Sequence, residues 1–191
     1  MKRLISFCFM VLCVMTLFAQ KDVTTFLGIP VDGTKAEMRQ KLIAKGFSPS
    51  KFGTEECFSG EFNGEDVLIF IQTMNNKVYR LYLKDKNERN EFNIKQRYNM
   101  LVQQFQNNSR YVYGSDQSLS DSEDISYEMI VHNKQYQAIF FQKPNGETSP
   151  SDAMSLLANK VVWFTIMKSY SDYYIVMYYE NLYNQANGED L

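Results

Sequence analysis

The chain has 191 residues, 20 of them basic and 22 acidic, for a formal net charge of −2; 45% of its side chains are apolar and 15% aromatic. This balance offers no basic surface for nucleic acid, and the apolar share is that of a chain that folds. A single histidine, His132, excludes multi-histidine metal sites and leaves little room for histidine-based catalytic triads and dyads.

The first residues follow the three-part pattern of a secretory leader: Lys2 and Arg3, an apolar run from Leu4 to Phe18, then Ala19 before the polar Gln20-Lys21-Asp22. The run is shorter than the roughly 20 residues that span a bilayer, so cleavage after Ala19 is expected rather than a retained membrane span. Phe7 and Leu12 precede the two leader cysteines, where a lipoprotein signal needs a small residue, so no lipidation is expected. Residues 20–191 then form a single exported domain, periplasmic or secreted, with two candidate halves at 20–86 and 87–191. Cleavage removes two of the 20 basic residues and no acid, leaving a net charge of −4. It also leaves Cys57 without a disulfide partner, and a small buried strand residue is the expected role for it.

Val23 to Leu27 reads as a short strand broken by Gly28-Ile29-Pro30. Thr34 with Glu37 makes a capping box, and Met38, Leu42 and Ile43 give the apolar stripe of a short helix stopped at Gly46, with Phe47 placed to fold back on its last turn. From Cys57 to Lys84 the period changes to two, and the turns Asn63-Gly64 and Asn75-Asn76 divide it into a three-stranded meander. Ile94, Tyr98, Leu101, Val102 and Phe105 stripe a long amphipathic helix over about 88–106. Further strands are expected at 110–113, 125–132, 135–142, 160–168 and 173–179, with an exposed polar loop at 114–124, another loop at 143–152 and one helical turn at 153–157.

The fold class is therefore α+β, antiparallel sheet with two main helices. The order allows a tandem of two helix-plus-meander halves, or a cystatin-like or nuclear-transport-factor-like sheet around one long helix. An internal echo links Met38-Arg39-Gln40-Lys41-Leu42 with Ile94-Lys95-Gln96-Arg97-Tyr98, and Leu68–Gln72 with Ala138–Gln142.

No phosphate-cradling glycine loop, metal-ligand cluster or nucleophile with its base is legible, so no catalytic residue, cofactor or metal is expected. Ser126, Glu128 and His132 share one face of their expected strand, but at a spacing that suits a solvated face better than a triad. The acids Asp121, Glu123 and Asp124, and the repeated Asn-Gly-Glu-Asp at 63–66 and 187–190, lack the spacing of a calcium loop. The most distinctive composition lies near the C-terminus, from Trp163 and Phe164 to Tyr183. Trp163, Tyr173 and Tyr179 are the candidate binding residues, for a protein partner in the envelope or outside the cell, with glycan or small-ligand binding as the alternative. A glycoside hydrolase using two facing carboxylates is the rival from the enzymes.

The stretch Phe26-Leu27-Gly28-Ile29-Pro30-Val31-Asp32-Gly33-Thr34, with its helix and Lys45-Gly46-Phe47, resembles uncharacterised exported proteins of Gram-negative bacteria. The order of helix and antiparallel meander, twice, resembles the β-lactamase-inhibitor-protein-like fold, which is shared by small outer-membrane-assembly lipoproteins. That resemblance implies a protein-binding scaffold and carries over no catalytic residue.

Overall fold

The computed structural model describes residues 22–146, 154 and 157–185. The expected leader, most of the expected turn at 153–157 and the acids at 187–190 lie outside them. A two-residue hairpin, β1 (Thr25–Phe26) and β2 (Ile29–Pro30), leads into α1 (Lys35–Ala44). Thr34 caps this helix: its Oγ accepts from the Glu37 N–H while Glu37 Oε2 accepts from the Thr34 N–H at 2.8 Å. The Thr34 hydroxyl also donates to Glu37 Oε2 at 3.1 Å, and this bond and that from the Thr34 N–H hold the Glu37 carboxyl below its ordinary range. At the other end Gly46 adopts φ +94°, and the N–H groups of Gly46 and Phe47 return to Ile43 and Leu42, closing the helix and burying Phe47 beneath it.

Four strands follow as a meander: β3 (Ser48–Phe52), β4 (Glu55–Phe62), β5 (Glu65–Met74) and β6 (Lys77–Asp85). Asn63 and Gly64, then Asn75 and Asn76, all have positive φ, the geometry two-residue hairpins require. Next comes α2 (Glu91–Asn107), capped by Asn90, then β7 (Tyr111–Val112), α3 (Ile125–Val131), β8 (Gln137–Gln142), β9 (Val161–Ser169) and β10 (Asp172–Glu180). All eight strands from β3 onward form one antiparallel sheet in the order β3-β4-β5-β6-β10-β9-β8-β7. Each helix-plus-meander unit thus ends on a central strand, and the units meet where β6 pairs with β10. The arrangement is not a single long helix wrapped by a sheet.

Both long helices cover the same side of the sheet. Met38 and Leu42 of α1, and Ile94, Tyr98, Leu101, Val102 and Phe105 of α2, pack on Ile69, Leu81, Leu83, Phe140, Phe164, Ile175 and Met177 in one continuous core. At about 1.5–3 kcal/mol for each large apolar side chain buried, this layer is the main source of stability, since the one cysteine among the described residues, Cys57, is free.

Two expectations need correcting. Residues 125–132 are a helix followed by its cap, not a strand. Asp124 Oδ1 accepts from the Tyr127 N–H and so starts a seven-residue helix, while the alternation Ile125, Tyr127, Met129, Val131 only imitates a strand. His132 is the exposed C-terminal cap of that helix, its ring edge-on to Tyr127. The first meander also has a fourth strand, β3, whose Pro49 and Lys51 suit an edge and whose mostly exposed residues carry no alternation to read.

The echo between helices coincides with the fold: Thr34 and Asn90 are both N-caps, and Met38 and Leu42 stand where Ile94 and Tyr98 do, all buried. The strand echo does not. Leu68–Gln72 lies in β5, third in its meander, and Ala138–Gln142 in β8, second in its own.

Candidate functional site

The register of β10 decides which aromatics face which way. Tyr173, Ile175, Met177 and Tyr179 point into the helix layer, while Tyr174, Val176, Tyr178 and Glu180 point to the opposite, open side. Tyr173 and Tyr179 are only 2% and 4% exposed, so they are core residues and do not form the outward surface expected of them. Burial drives the Tyr179 phenol well above its ordinary range, with the Tyr111 hydroxyl adding to the effect. Trp163, the third expected binding residue, is half-buried on the open side, directly across from Tyr178. The aromatics to look for were therefore Tyr174 and Tyr178, one residue out of phase with the expected pair.

On that open side the strand pairings Tyr82 with Phe70, Tyr82 with Tyr178, and Tyr178 with Trp163 align aromatic rings across the sheet. Phe70 stacks on Tyr82 with centroids 4.4 Å apart, Tyr82 tilts against Tyr178 at 6.0 Å, and Tyr178 stacks on Trp163 at 4.0 Å. At one end Phe52 meets Phe70 edge-on; at the other Ile139, 41% exposed, pairs with Trp163. The row crosses strands β3, β5, β6, β10, β9 and β8. A smaller cluster of Cys57, Leu68 and Phe70 underlies it. Cys57 is the buried strand residue the sequence suggested, and burial pushes its thiol up, away from reactivity.

Cations border the rings. Lys84 Nζ lies 3.9 Å from the Tyr174 centroid and 5.4 Å from that of Phe52, and the Arg80 guanidinium lies 5.3 Å from Tyr178. Glu180 Oε1 accepts from Arg80 at 2.8 Å and from the Trp163 indole N–H at 2.9 Å, which fixes the orientation of the Trp163 ring. Glu180 Oε2 and Arg80 Nε stay buried with no partner among the described residues. Burial, followed by the nearby Glu55 charge, pushes the Tyr82 phenol up to about 12, and burial raises Tyr174 and Tyr178 as well. The face is therefore neutral in its hydroxyls across ordinary pH.

Other groups singled out in the sequence have structural employment. Glu123 accepts from Lys134 and from Tyr136, bonds that hold its carboxyl below the usual range. Asp124 is a helix cap and Asn63-Gly64 a hairpin turn. Asp85 and Glu65 are two carboxylates that the fold brings together, at 3.3 and 3.9 Å from Arg97 Nε. Arg89 also binds both, at 3.3 and 2.5 Å. Burial raises the Asp85 carboxyl even so, against the pull of Arg97 and Arg89. The adjoining cleft, about 290 Å³, is lined by Asn93, Gln96 and Met100 besides Glu65 and the two arginines, with no ring on which a sugar could stack. Among the described residues no group of three metal-ligating side chains forms, and no helix is long and apolar enough to cross a membrane.

In comparisons with known proteins, no family model, curated protein or solved structure matches the chain.

Proposed function

We propose that the protein is a non-catalytic, exported binding module that recognises a protein partner in the cell envelope or outside the cell through the open face of its sheet. The observation that supports this most is the row Phe52, Tyr82, Tyr178 and Trp163, joined through the buried Phe70, on the side of the sheet that neither long helix covers. Aromatic rings held rigid by their neighbours give large contact area at little entropic cost, and Tyr, Trp and Arg are the residue types that dominate binding energy between proteins. Several rings side by side across strands suit a flat partner surface. A glycan would more often want one or two rings beside polar groups in a groove. The leader pattern at residues 1–19 supports export, and the order of helix and four-stranded meander, twice, supports the likeness to the β-lactamase-inhibitor-protein-like scaffold.

The test is capture of partners from envelope extract by the wild type, by Trp163→Ala with Tyr178→Ala, and by Tyr127→Ala on the exposed side of α3, alongside a glycan array. The reading expects a protein captured by the wild type and by Tyr127→Ala and lost from the double variant. Retention of glycans in place of proteins, or equal capture by all three chains, would count against it.

A further inference from the structure

A cleft of about 660 Å³ lies on the other side of the sheet, at the end where the β1–β2 hairpin, the β4–β5 hairpin and the C-terminal turns of α2 converge. Its apolar wall is Leu27, Phe62, Leu101, Phe105 and Met177. Its polar end is built by a chain of hydrogen bonds whose donors and acceptors can be assigned. Gln142 Oε1 accepts from the Thr25 N–H at 2.8 Å, and Gln142 Nε2 donates to the Thr25 carbonyl at 2.7 Å, so the amide can have only one orientation. Its second Nε2 hydrogen therefore donates to the Tyr111 hydroxyl at 3.0 Å. The Tyr111 oxygen accepts there, and its own hydrogen has no acceptor among the described residues.

Arg110 lines the same cleft, and the described residues give it no carboxylate partner; its side chain reaches only Asn108, at 3.5 Å. The Lys143 N–H bonds the Arg110 carbonyl, and both residues line a smaller cleft of about 250 Å³ that shares Thr25 and Gln142 with the first. Positive charge thus gathers at the polar end, while the cleft's acid, Glu61, sits on the β4–β5 hairpin. At the mouth Leu27 has φ +50° and is 44% exposed. A leucine is an unfavourable choice for the left-handed first position of a tight hairpin, where Asn or Gly would sit without strain. Its presence there costs stability and adds an apolar wall.

We infer that this cleft binds a small amphipathic carboxylate, its charged end on Arg110 and the Tyr111 hydroxyl and its apolar body against Leu27, Phe62, Leu101, Phe105 and Met177. A cleft of this size is in the range that holds small organic ligands, and a guanidinium beside a fixed hydroxyl donor is the donor set a carboxylate takes. The site is on the helix side of the sheet and does not depend on a partner at the aromatic face.

The test uses octanoate and 1-octanol as probes, followed by the methyl resonance of Met177 in protein labelled with 13C-methyl methionine. Octanoate is expected to shift that resonance saturably, with 1-octanol about tenfold weaker. Arg110→Gln is expected to reduce octanoate to the level of the alcohol. Leu27→Asn is expected to weaken both probes while keeping or raising the melting temperature, because Asn accepts the left-handed backbone; a loss of binding there cannot be ascribed to unfolding. An unmoved Met177 signal, equal affinity for acid and alcohol, or octanoate binding unchanged in Arg110→Gln would each overturn the assignment.

Discussion

Trp163 lies face to face on Tyr178, their ring centroids 4.0 Å apart and their planes 14° from parallel, with the indole N–H held by Glu180. As Trp163 is the sole tryptophan of the chain, its fluorescence reports on the open face alone. Trp163→Ala should cost about 1–3 kcal/mol in urea unfolding, less than a fully buried ring would, because the residue is half-buried. Glu180→Gln, which keeps an acceptor for the indole, should shift the emission less than Glu180→Ala. Equal shifts in the two variants would show that the Glu180 bond does not set the ring's surroundings.

The Arg80–Glu180 pair makes a second prediction. Its acid side chain is 4% exposed, and each partner leaves one buried polar atom unpaired among the described residues. Glu180→Ala should destabilise by roughly 3–5 kcal/mol, since it strands the partly buried Arg80 guanidinium. The double replacement Arg80→Met with Glu180→Leu should come within about 1 kcal/mol of wild type or exceed it. Chemical denaturation of all three proteins gives the comparison, and a double variant as unstable as Glu180→Ala would show that the pair contributes net stability.

Gly60 carries the third. A Cβ there would stand 2.5 Å from the Phe47 ring, which closes the end of α1 over β4. Gly60→Ala should therefore cost about 1–3 kcal/mol, and adding Phe47→Leu should recover part of it. Strict additivity of the two changes would contradict the contact.

High pH supplies the fourth. Burial and Glu55 hold the Tyr82 phenol up at about 12, against 10 for the free group. Between those values the unfolded chain has released a proton that the folded chain keeps, so stability is lost as pH rises through that window. Tyr82→Phe should flatten the loss between pH 10 and 12, measured by urea midpoints. An identical pH profile for the variant would count against a perturbed Tyr82.

Much of this architecture could be read from local signals. The capping box at Thr34 and Glu37, the Asn-containing turns and the stripe along α2 are each fixed by neighbours a few residues apart, and each is where expected. The failures come from information that is not local. Tyr173-Tyr174 and Tyr178-Tyr179 had to put one ring on each face of β10, but Ile175, Val176 and Met177 between them suit either face, so nothing nearby sets the phase. Pairing with β6 and β9 sets it, and this buries Tyr179 and presents Tyr178. The same holds for the ring row: Phe70, Tyr82, Tyr178 and Trp163 are far apart in sequence and become neighbours only when the two meanders join. For α3, a single cap at Asp124 outweighs a strand-like alternation, and Tyr127, Ile130 and Val131 end up exposed. The polar end of the cleft was beyond reach in the same way, since Gln142 and Thr25 are 117 positions apart.

The central claim is that the protein acts through the open face of its sheet, and site-specific photocrosslinking in producing cells tests it most directly. A benzophenone amino acid is placed at Tyr174 or Tyr178 on the open face, and at Tyr127 on α3 as the control. The account predicts a discrete crosslinked protein from positions 174 and 178, none from 127, and loss of the product when Trp163→Ala is added. Crosslinks of equal yield and identity from all three positions, or none from 174 and 178 in cells where the protein is folded, would contradict it.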